Sequence, residues 1–297
     1  MTTAPIVLFV YKRPVHTRNT VESLLRNPGS AESELFIYSD GPRNAEAEPA
    51  VAELRQYLRS ITGFKKVTIT ERERNFGLAN NIMDGVTSIV NRYGQVIVLE
   101  DDMVLSPYFL EFMNKGLEKY RDTQEVISIH GYCYPIKYSR PVFFLKGADC
   151  WGWATWKRGW DLFNPDSQYL LNEIRRKGLS YTFNMDDSWD YIGMLKDQIE
   201  GRIDSWAVRW YASALLENKL TLYAYPSLLE NIGFDGSETH KQDPALTGTF
   251  VTDRSIVLED IPLVETKEAR KLYCRHLYRQ LGVKAKIKRW FKGGIPG

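Results

Sequence analysis

The strongest constraint on the fold is a regular alternation of strand-like and helix-like segments in the first hundred residues of this 297-residue chain. Residues 5–11 (PIVLFVY) form a continuous apolar run, which is typical of a strand buried on both faces. Such runs alternate with helical patterns, an order that favours a parallel sheet covered by helices. The sequence predicts strands at 5–11, 34–38, 66–70 and 95–99, separated by helices at 17–26, 45–60 and 78–93.

The pattern is less regular in the remainder of the chain. Residues 131–160 are rich in aromatic side chains and show no clear period, so we predict an irregular region there. The predicted fold class is α/β, with a mixed, mainly parallel central sheet flanked by helices. The other predicted elements are a helix at 106–120, a strand at 126–129, helices at 187–200 and 205–218, and a last strand at 220–225.

Composition and cysteine usage favour a globular protein of a reducing compartment. Hydrophobic residues make up 43% of the chain, which is enough for a substantial core. No uncharged apolar run approaches the roughly 18 residues of a membrane span, and we expect no signal peptide. The cysteines Cys133, Cys150 and Cys274 are odd in number, far apart and outside any zinc or redox motif. We therefore predict a cytoplasmic location.

The net charge of +2 conceals a basic C-terminal segment. Residues 267–292 contain ten lysines and arginines and one acid, whereas the rest of the chain has 29 basic and 36 acidic residues. Together with Trp290 and Phe291, this predicted helical tail could attract an anionic membrane surface. A solvated helix pair that covers the domain is the alternative.

Three consecutive carboxylates, Glu100, Asp101 and Asp102, follow the predicted strand 95–99. Carboxylates repel one another and resist desolvation unless a cation or hydrogen-bond donors meet them. In an open α/β sheet, ligands bind at the carboxyl ends of the strands. Oxygen ligands suit Mn²⁺ or Mg²⁺, which would stabilise a diphosphate as a leaving group. The triplet therefore predicts a metal and ligand edge, and a solvated turn is the alternative.

Further polar residues follow the other predicted strands. Asp40 ends the second strand, where it could accept hydrogen bonds from a base or a ribose, although Ser-Asp-Gly-Pro is equally a turn. Lys12, Arg13 and Arg74 fall on the same predicted edge, where cations could meet a nucleotide; isolated basic surface residues are the alternative.

The second half contains candidates for sugar binding and for proton transfer. The loop CWGWATWKRGW offers aromatic faces that stack on sugar rings, and packing in the core is the alternative. Asp204 is a candidate general base or a helix N-cap. Asp186 and Asp187 are a rival pair in a predicted solvated loop, and His240 is a candidate ligand of phosphate or metal.

Several enzyme classes are excluded by missing motifs. The chain has no GxxxxGK phosphate loop, no GxGxxG after the first strand, no HExxH and no GxSxG. Two alternatives remain open: a nucleotidyltransferase that makes a sugar nucleotide, and a non-catalytic module that binds a carbohydrate or a nucleotide. The first would want a glycine-rich loop after the first strand, where YKRPVHT has no glycine.

Six further segments follow one another in the chain: SDG, NFGLANNI, VLEDDMVLSPYF, GADCWGWATW, DSWAVRW and NIGFDGSETH. Together these segments resemble the GT-A glycosyltransferases of family 2. They are similar to the mannosyl-glycoprotein N-acetylglucosaminyltransferase type and its bacterial relatives, over residues 5–240. The resemblance implies an inverting, metal-dependent transfer from a nucleoside-diphosphate sugar, with UDP as the expected nucleotide and GlcNAc or a related hexose as the expected sugar.

The resemblance also assigns roles to residues of this chain. Asp204 matches the family's catalytic base, and Asp102 would hold Mn²⁺ or Mg²⁺, with His240 as a further candidate ligand. Trp151, Gly152 and Trp153 would stack on the acceptor sugar. The donor nucleotide and its sugar would contact Tyr11, Arg13, Asp40, Arg74, Glu100 and Asp101.

The expected partners and organisation follow from the same comparison. Eukaryotic members carry a membrane anchor and work in an oxidising lumen, whereas this sequence favours a saccharide or glycolipid acceptor in bacterial surface polysaccharide synthesis, with no nucleic acid. We predict a nucleotide-sugar half (1–125), an acceptor-binding and catalytic half (126–260) and the basic tail (261–297), which could hold the enzyme at the inner face of the membrane.

Overall fold

Four parallel strands form the first half of the central sheet in the computed structural model, which describes residues 3–234 and 251–281. They are β1 (Ile6–Val10), β2 (Glu34–Ser39), β3 (Lys66–Glu71) and β4 (Gln95–Glu100). β1 lies in the middle, with β2 on one side and β4 on the other, and β3 pairs with the outer edge of β2. All four carboxyl ends therefore meet at one edge of the sheet.

Helices cover both faces of these strands, as the apolar runs require. They are α1 (Pro14–Leu25), α2 (Glu48–Leu58) and α3 (Leu78–Tyr93). Ile6 and Leu8 of β1 share a buried cluster with residues of α1 and α2, whereas Val7 and Phe9 share another with residues of α3. Because side chains alternate across a strand, one uniformly apolar strand serves both layers.

The second half continues the same sheet with mixed strand directions. The full order is β3-β2-β1-β4-β8-β6-β9-β7, and β8 runs antiparallel to both β4 and β6. A separate two-stranded sheet pairs β5 with β10. The strands are β5 (Met103–Leu105), β6 (Val126–His130), β7 (Val142–Lys146), β8 (Trp153–Trp156), β9 (Leu220–Ala224) and β10 (Leu229–Asn231).

The remaining helices pack around this half. They are α4 (Phe109–Lys119), α5 (Lys157–Trp160), α6 (Ser167–Arg176), α7 (Ser180–Phe183), α8 (Tyr191–Ile199), α9 (Trp206–Leu216) and α10 (Lys267–Gln280). The α/β class with a mixed sheet flanked by helices is confirmed. Since one sheet runs through both predicted halves, the functional division at residue 125 stays a prediction.

Two sequence-based expectations are wrong in this half. Residues 131–160 are not irregular, because they contain β7 and β8, and β8 is fully buried beside β4. The helix predicted at 187–200 begins only at Tyr191, since Met185, Asp186 and Asp187 have positive φ angles of 48°, 55° and 58°, which a right-handed helix does not tolerate.

The C-terminal helix α10 is part of the domain. Tyr273 and Leu277 are buried, and Tyr273 packs edge-on against Phe143 and Tyr223 of the sheet. Residues 282–297 of the predicted basic tail lie outside the described part of the chain. Within residues 3–234 and 251–281, no helix has both the length and the apolar character that crossing a membrane demands.

Candidate active site

The acidic triplet lies where β4 ends, and helix α1 fixes its backbone. Glu100 is the last residue of β4, and Asp101 and Asp102 form the turn into β5. The Thr20 hydroxyl donates to the carbonyl of Asp101 (2.9 Å) and accepts the N–H of Met103 (3.2 Å). Thr20 of α1 thus gives the carbonyl of Asp101 and the N–H of Met103 a hydrogen-bond partner, so neither backbone group of the turn depends on water.

Burial and mutual repulsion act on the carboxyls of the triplet. Burial, with the charge of Asp102, raises the pKa of Asp101 to about 7, and burial with Asp102 and Asp101 raises the pKa of Glu100 well above its usual value. The Arg13 guanidinium lies 3.0 Å from Asp102 Oδ2 and 3.9 Å from Asp101 Oδ1. Burial and mutual repulsion thus disfavour the charged forms of Glu100 and Asp101, and a bound cation would relieve that repulsion.

The carboxylates of the triplet are oxygen ligands, which is the type of ligand that a hard divalent cation prefers. Three carboxylates with excess charge suit Mn²⁺ or Mg²⁺. The backbone of Ile232 and Gly233 lies directly on Asp102, since a Cβ at Gly233 would come within 2.3 Å of Asp102 Oδ2. Among residues 3–234 and 251–281, however, no three His, Cys, Asp or Glu side chains already converge as a metal site. His240 lies outside the described residues.

We expect the affinity for Mn²⁺ to rise as the pH rises through 7. The carboxyl of Asp101 has its pKa raised to about 7, so below that pH a proton must leave before a cation binds. Affinity should fall about tenfold per pH unit below pH 7. Calorimetric titration with Mn²⁺ in the absence of nucleotide measures this affinity, so the protonation of nucleotide phosphates does not contribute to its pH dependence. An affinity that is equal at pH 5.5 and 7.5 would contradict it, and Asp101→Asn should flatten the slope.

Asp40 holds the loop that precedes α3. Its carboxylate is buried, and Oδ1 accepts the N–H groups of Gly41 (2.8 Å) and Phe76 (2.7 Å). Oδ2 accepts the N–H of Gly77 and the side-chain amide of Asn75, both at 3.0 Å. These four bonds occupy about as many acceptor positions as a carboxylate has. Its predicted contact with a base stays a prediction; in this structure Asp40 organises the loop.

Replacing Asp40 by alanine should lower the free energy of unfolding by about 3 kcal/mol, because one buried and three partly buried N–H groups would lose their acceptor. Urea denaturation measures the loss. Asp161→Ala, at a carboxylate that is 53% exposed and paired with Lys157, is the matched control and should change stability by under about 0.5 kcal/mol. A loss at Asp40 as small as that of the control would mean that the carboxylate does not support the loop.

The other predicted donor residues lie around the same edge. The backbone N–H of Tyr11 points to Asp101 Oδ2 at 3.4 Å, and its hydroxyl accepts the N–H of Arg43 (3.0 Å). Arg74 is exposed, and its backbone packs tightly against Gly41. Tyr11 and Arg13 are thus brought to the acidic triplet, whereas Arg74 lies beside the loop that Asp40 holds.

Asp204 lies beside that loop and is not the cap of the following helix. The N-cap of α9 is Ser205, whose hydroxyl accepts the N–H of Val208 (3.3 Å). The carboxylate of Asp204 is 53% exposed and lies 3.4 Å from the buried guanidinium of Arg209. Its Oδ2 is 3.7 Å from the position that a Cβ would take on Gly77, whose φ of +75° favours glycine. A carboxylate that is held in place yet exposed is suited to accept a proton.

The tryptophan loop divides into one accessible residue and a buried set. Trp153 is completely buried and packs on Trp160, Trp206 and Trp210 at ring distances of 5.5 to 5.8 Å, so its predicted stacking on a sugar is wrong. Gly152 is also buried, against Leu229. Strand β8 buries these residues in the core, and of residues 151–153 only Trp151, which lies just before the strand, remains partly exposed.

The rival pair Asp186–Asp187 is already engaged. Arg270 donates to Asp186 from Nη2 (2.8 Å) and Nε (3.1 Å), so this carboxylate anchors α10 and does not belong to a solvated loop. Asp187 accepts from the Asn184 amide at 3.3 Å.

Sequence reasoning missed Asp149, a lone acid in the loop before β8. Recognising residues 153–156 as a strand antiparallel to β4 would have placed this acid near the triplet.

The fold and the acidic edge define an α/β enzyme whose ligand site lies at the carboxyl ends of its parallel strands. The family model described as "Glycosyl transferase family 2" matches residues 6–172, more than half of the chain. The chain therefore belongs to glycosyl transferase family 2, and it is a sugar-transferring enzyme with a GT-A fold.

Other comparisons add little detail. A comparison with curated proteins gave no match. Among solved structures, the crystal structure of S. aureus TarS aligns with 46% of this chain and 23% of that chain, at 12% identity and a TM-score of 0.30. The chain thus spans less than a quarter of that protein's length.

Proposed function

We propose that this enzyme is an inverting, metal-dependent glycosyltransferase that takes its sugar, GlcNAc or a related hexose, from a UDP-linked donor. The acceptor is a hydroxyl of a saccharide or glycolipid in bacterial surface polysaccharide synthesis. The observation that carries the proposal is the buried triplet at the end of β4, whose carboxyls repel one another beside Arg13, in a family of sugar transferases.

In this proposal, residues of the first half bind the donor, and Asp204 of the second half acts on the acceptor. Glu100 and Asp101 contact the sugar and ribose of the donor, and Arg13 faces the diphosphate. Asp204 accepts the proton of the acceptor hydroxyl as its oxygen attacks the anomeric carbon from the face opposite the diphosphate. The bond to the diphosphate breaks as the new one forms, so the configuration inverts.

A divalent cation would supply charge neutralisation to the departing diphosphate, with Asp102 as its proposed protein ligand. Asp40 contributes by fixing the loop 75–77, on which we place the base of the nucleotide with Tyr11 and Arg74 nearby. In this proposal the acidic triplet binds the donor with its leaving group, whereas the general base, Asp204, lies on another element, just before α9.

We further place the enzyme in the cytoplasm, in peripheral contact with the inner face of the membrane. Lys267, Lys271 and Arg275 are exposed at four-residue spacing on α10, so they share one face of that helix. Such a basic face suits an anionic lipid surface. The three cysteines are all free, which suits a reducing compartment.

A screen of UDP-linked sugars tests the proposed function. The enzyme is incubated with UDP-GlcNAc, UDP-glucose or UDP-galactose and Mn²⁺, and released UDP is measured with and without a chelator. We expect UDP release from at least one donor, and its loss on chelation. Equal release with chelator would contradict metal dependence, and release from none of them with Mn²⁺ or Mg²⁺ would contradict the donor class. The family favours this transfer over nucleotide-sugar formation or passive binding.

A further inference from the structure

Asp149 is a carboxylate that the mechanism above does not use. It lies between β7 and β8, and its side chain is 34% exposed. Its Oδ1 accepts the N–H of Cys150 (2.8 Å), and its Oδ2 accepts the hydroxyl of Tyr223 (3.3 Å). A carboxylate has about four acceptor positions, so these two bonds orient Asp149 and leave capacity for a ligand.

No cation neutralises this carboxylate within the described ranges. Among residues 3–234 and 251–281, no lysine or arginine lies within ion-pair distance of it. The nearest basic group is Nε2 of His130, at 3.9 Å. That nitrogen accepts the N–H of Trp151 (3.2 Å), so it carries no proton, and burial lowers the pKa of His130. Asp149 therefore presents a negative charge to its surroundings.

The sheet register places Asp149 beside the acidic triplet. In the antiparallel pair of β4 and β8, Val98 pairs with Trp153. Two residues further, Glu100 and Trp151 leave the sheet at the same edge, and Asp149 follows in the same loop. Glu100 also contributes, after burial and Asp149, to the raised pKa of the Cys150 thiol between them.

Aromatic rings connect Asp149 with the triplet. The half-exposed ring of Trp151 contacts Tyr132 edge to face at 4.7 Å and Phe234 at 5.7 Å. Phe234 follows Gly233, the residue that lies directly on Asp102. A carboxylate next to aromatic rings is a common way to bind a sugar, because hydroxyls donate to the carboxylate while the ring covers an apolar face.

We propose that Asp149 and Trp151 form the acceptor subsite, and that this subsite selects a neutral sugar and rejects an anionic one. Hydroxyls of a neutral sugar donate to Asp149, and one ring face of the sugar lies on Trp151. A uronic acid or a phosphate-bearing sugar would bring a second negative charge to Asp149, which has no lysine or arginine partner among residues 3–234 and 251–281. The inference rests on the proposed function, since it takes the acceptor to bind next to the donor edge.

Saturation-transfer NMR with full-length enzyme tests the selectivity. The probes are N-acetylglucosamine and methyl β-glucoside as neutral sugars and glucuronic acid as the anionic one, each with UDP and Mn²⁺ present. We expect saturation transfer to at least one neutral sugar and none to glucuronic acid. Equal transfer to glucuronic acid, or transfer to no probe, would overturn the proposal.

The Asp149→Asn variant tests whether Asp149 is responsible for this selectivity. Asp149→Asn should reduce the neutral-sugar signal at least fivefold and allow glucuronic acid to bind, whereas Asp161→Asn, at an exposed carboxylate directly after α5, should change neither. An unchanged neutral signal in Asp149→Asn would overturn the role of Asp149. UDP binding to the wild type, measured in the same samples, separates the two proposals: its absence refutes the proposed donor, and its presence without neutral selectivity refutes the subsite alone.

Discussion

Replacing Asp102 by alanine should lower the rate of UDP release and of sugar transfer about a thousandfold, with Mn²⁺ at saturating concentration. Asp102 is the proposed cation ligand, and stabilising the leaving diphosphate by a metal is worth several kcal/mol, of which about 4 corresponds to three powers of ten. Initial rates of UDP release from the donor identified in the screen measure the effect.

The same variant should remain folded, which separates lost chemistry from lost structure. Asp102 is the leading charge behind the raised pKa values of Glu100 and Asp101, so its removal relieves repulsion while Arg13 keeps Asp101 nearby. The melting temperature should therefore change little. Asp260→Ala, at a side chain that is 99% exposed, is the control and should keep full activity. A rate for Asp102→Ala within tenfold of the wild type would remove the residue from the metal site.

Replacing Asp204 by asparagine should abolish transfer while the donor still binds. A general base contributes about 10²- to 10⁴-fold, and asparagine accepts no proton but can still accept a hydrogen bond from Arg209. UDP affinity should stay within about twofold of the wild type, whereas the rate of transfer falls about a thousandfold. Calorimetry measures the first and product formation the second.

Asp197→Asn, at an exposed carboxylate of the neighbouring helix α8, is the control for Asp204 and should leave both quantities unchanged. Transfer that survives in Asp204→Asn would move the base elsewhere. Asp186 is held by Arg270, so the carboxylate to test next would be Asp149, which lies at the same edge as the triplet.

Sequence periodicity predicted the first half of the fold because that half depends on local patterns. The strands β1, β2 and β4 are buried apolar runs, β3 is a partly exposed edge strand, and each helix shows one apolar face, so β1 to β4 and the intervening helices fall where expected. The acidic triplet was predicted for the same local reason. Three acidic residues directly after a buried strand are costly to bury, so they are expected at the edge of the sheet.

The second half was harder to predict because long-range pairing overrides local pattern there. β8 reads as an aromatic loop, but its pairing with β4 and β6 buries Trp153 completely. No local signal reports which strands a segment will join, so the stacking role of Trp153 was wrong and Asp149 was missed. The role of Asp40 in the loop was equally hidden, since its partners Phe76 and Gly77 lie over thirty residues away.

The position of β8 has a consequence for how the protein folds. Its four residues fill the open side of β4, so the nucleotide-sugar half of residues 1–125 has no finished edge without the chain from beyond residue 150. A fragment that stops at 125 would expose the unpaired backbone and apolar faces of β4, a template for aggregation. The two proposed halves therefore share one sheet, and dissection of donor binding from acceptor binding calls for point variants in the intact chain.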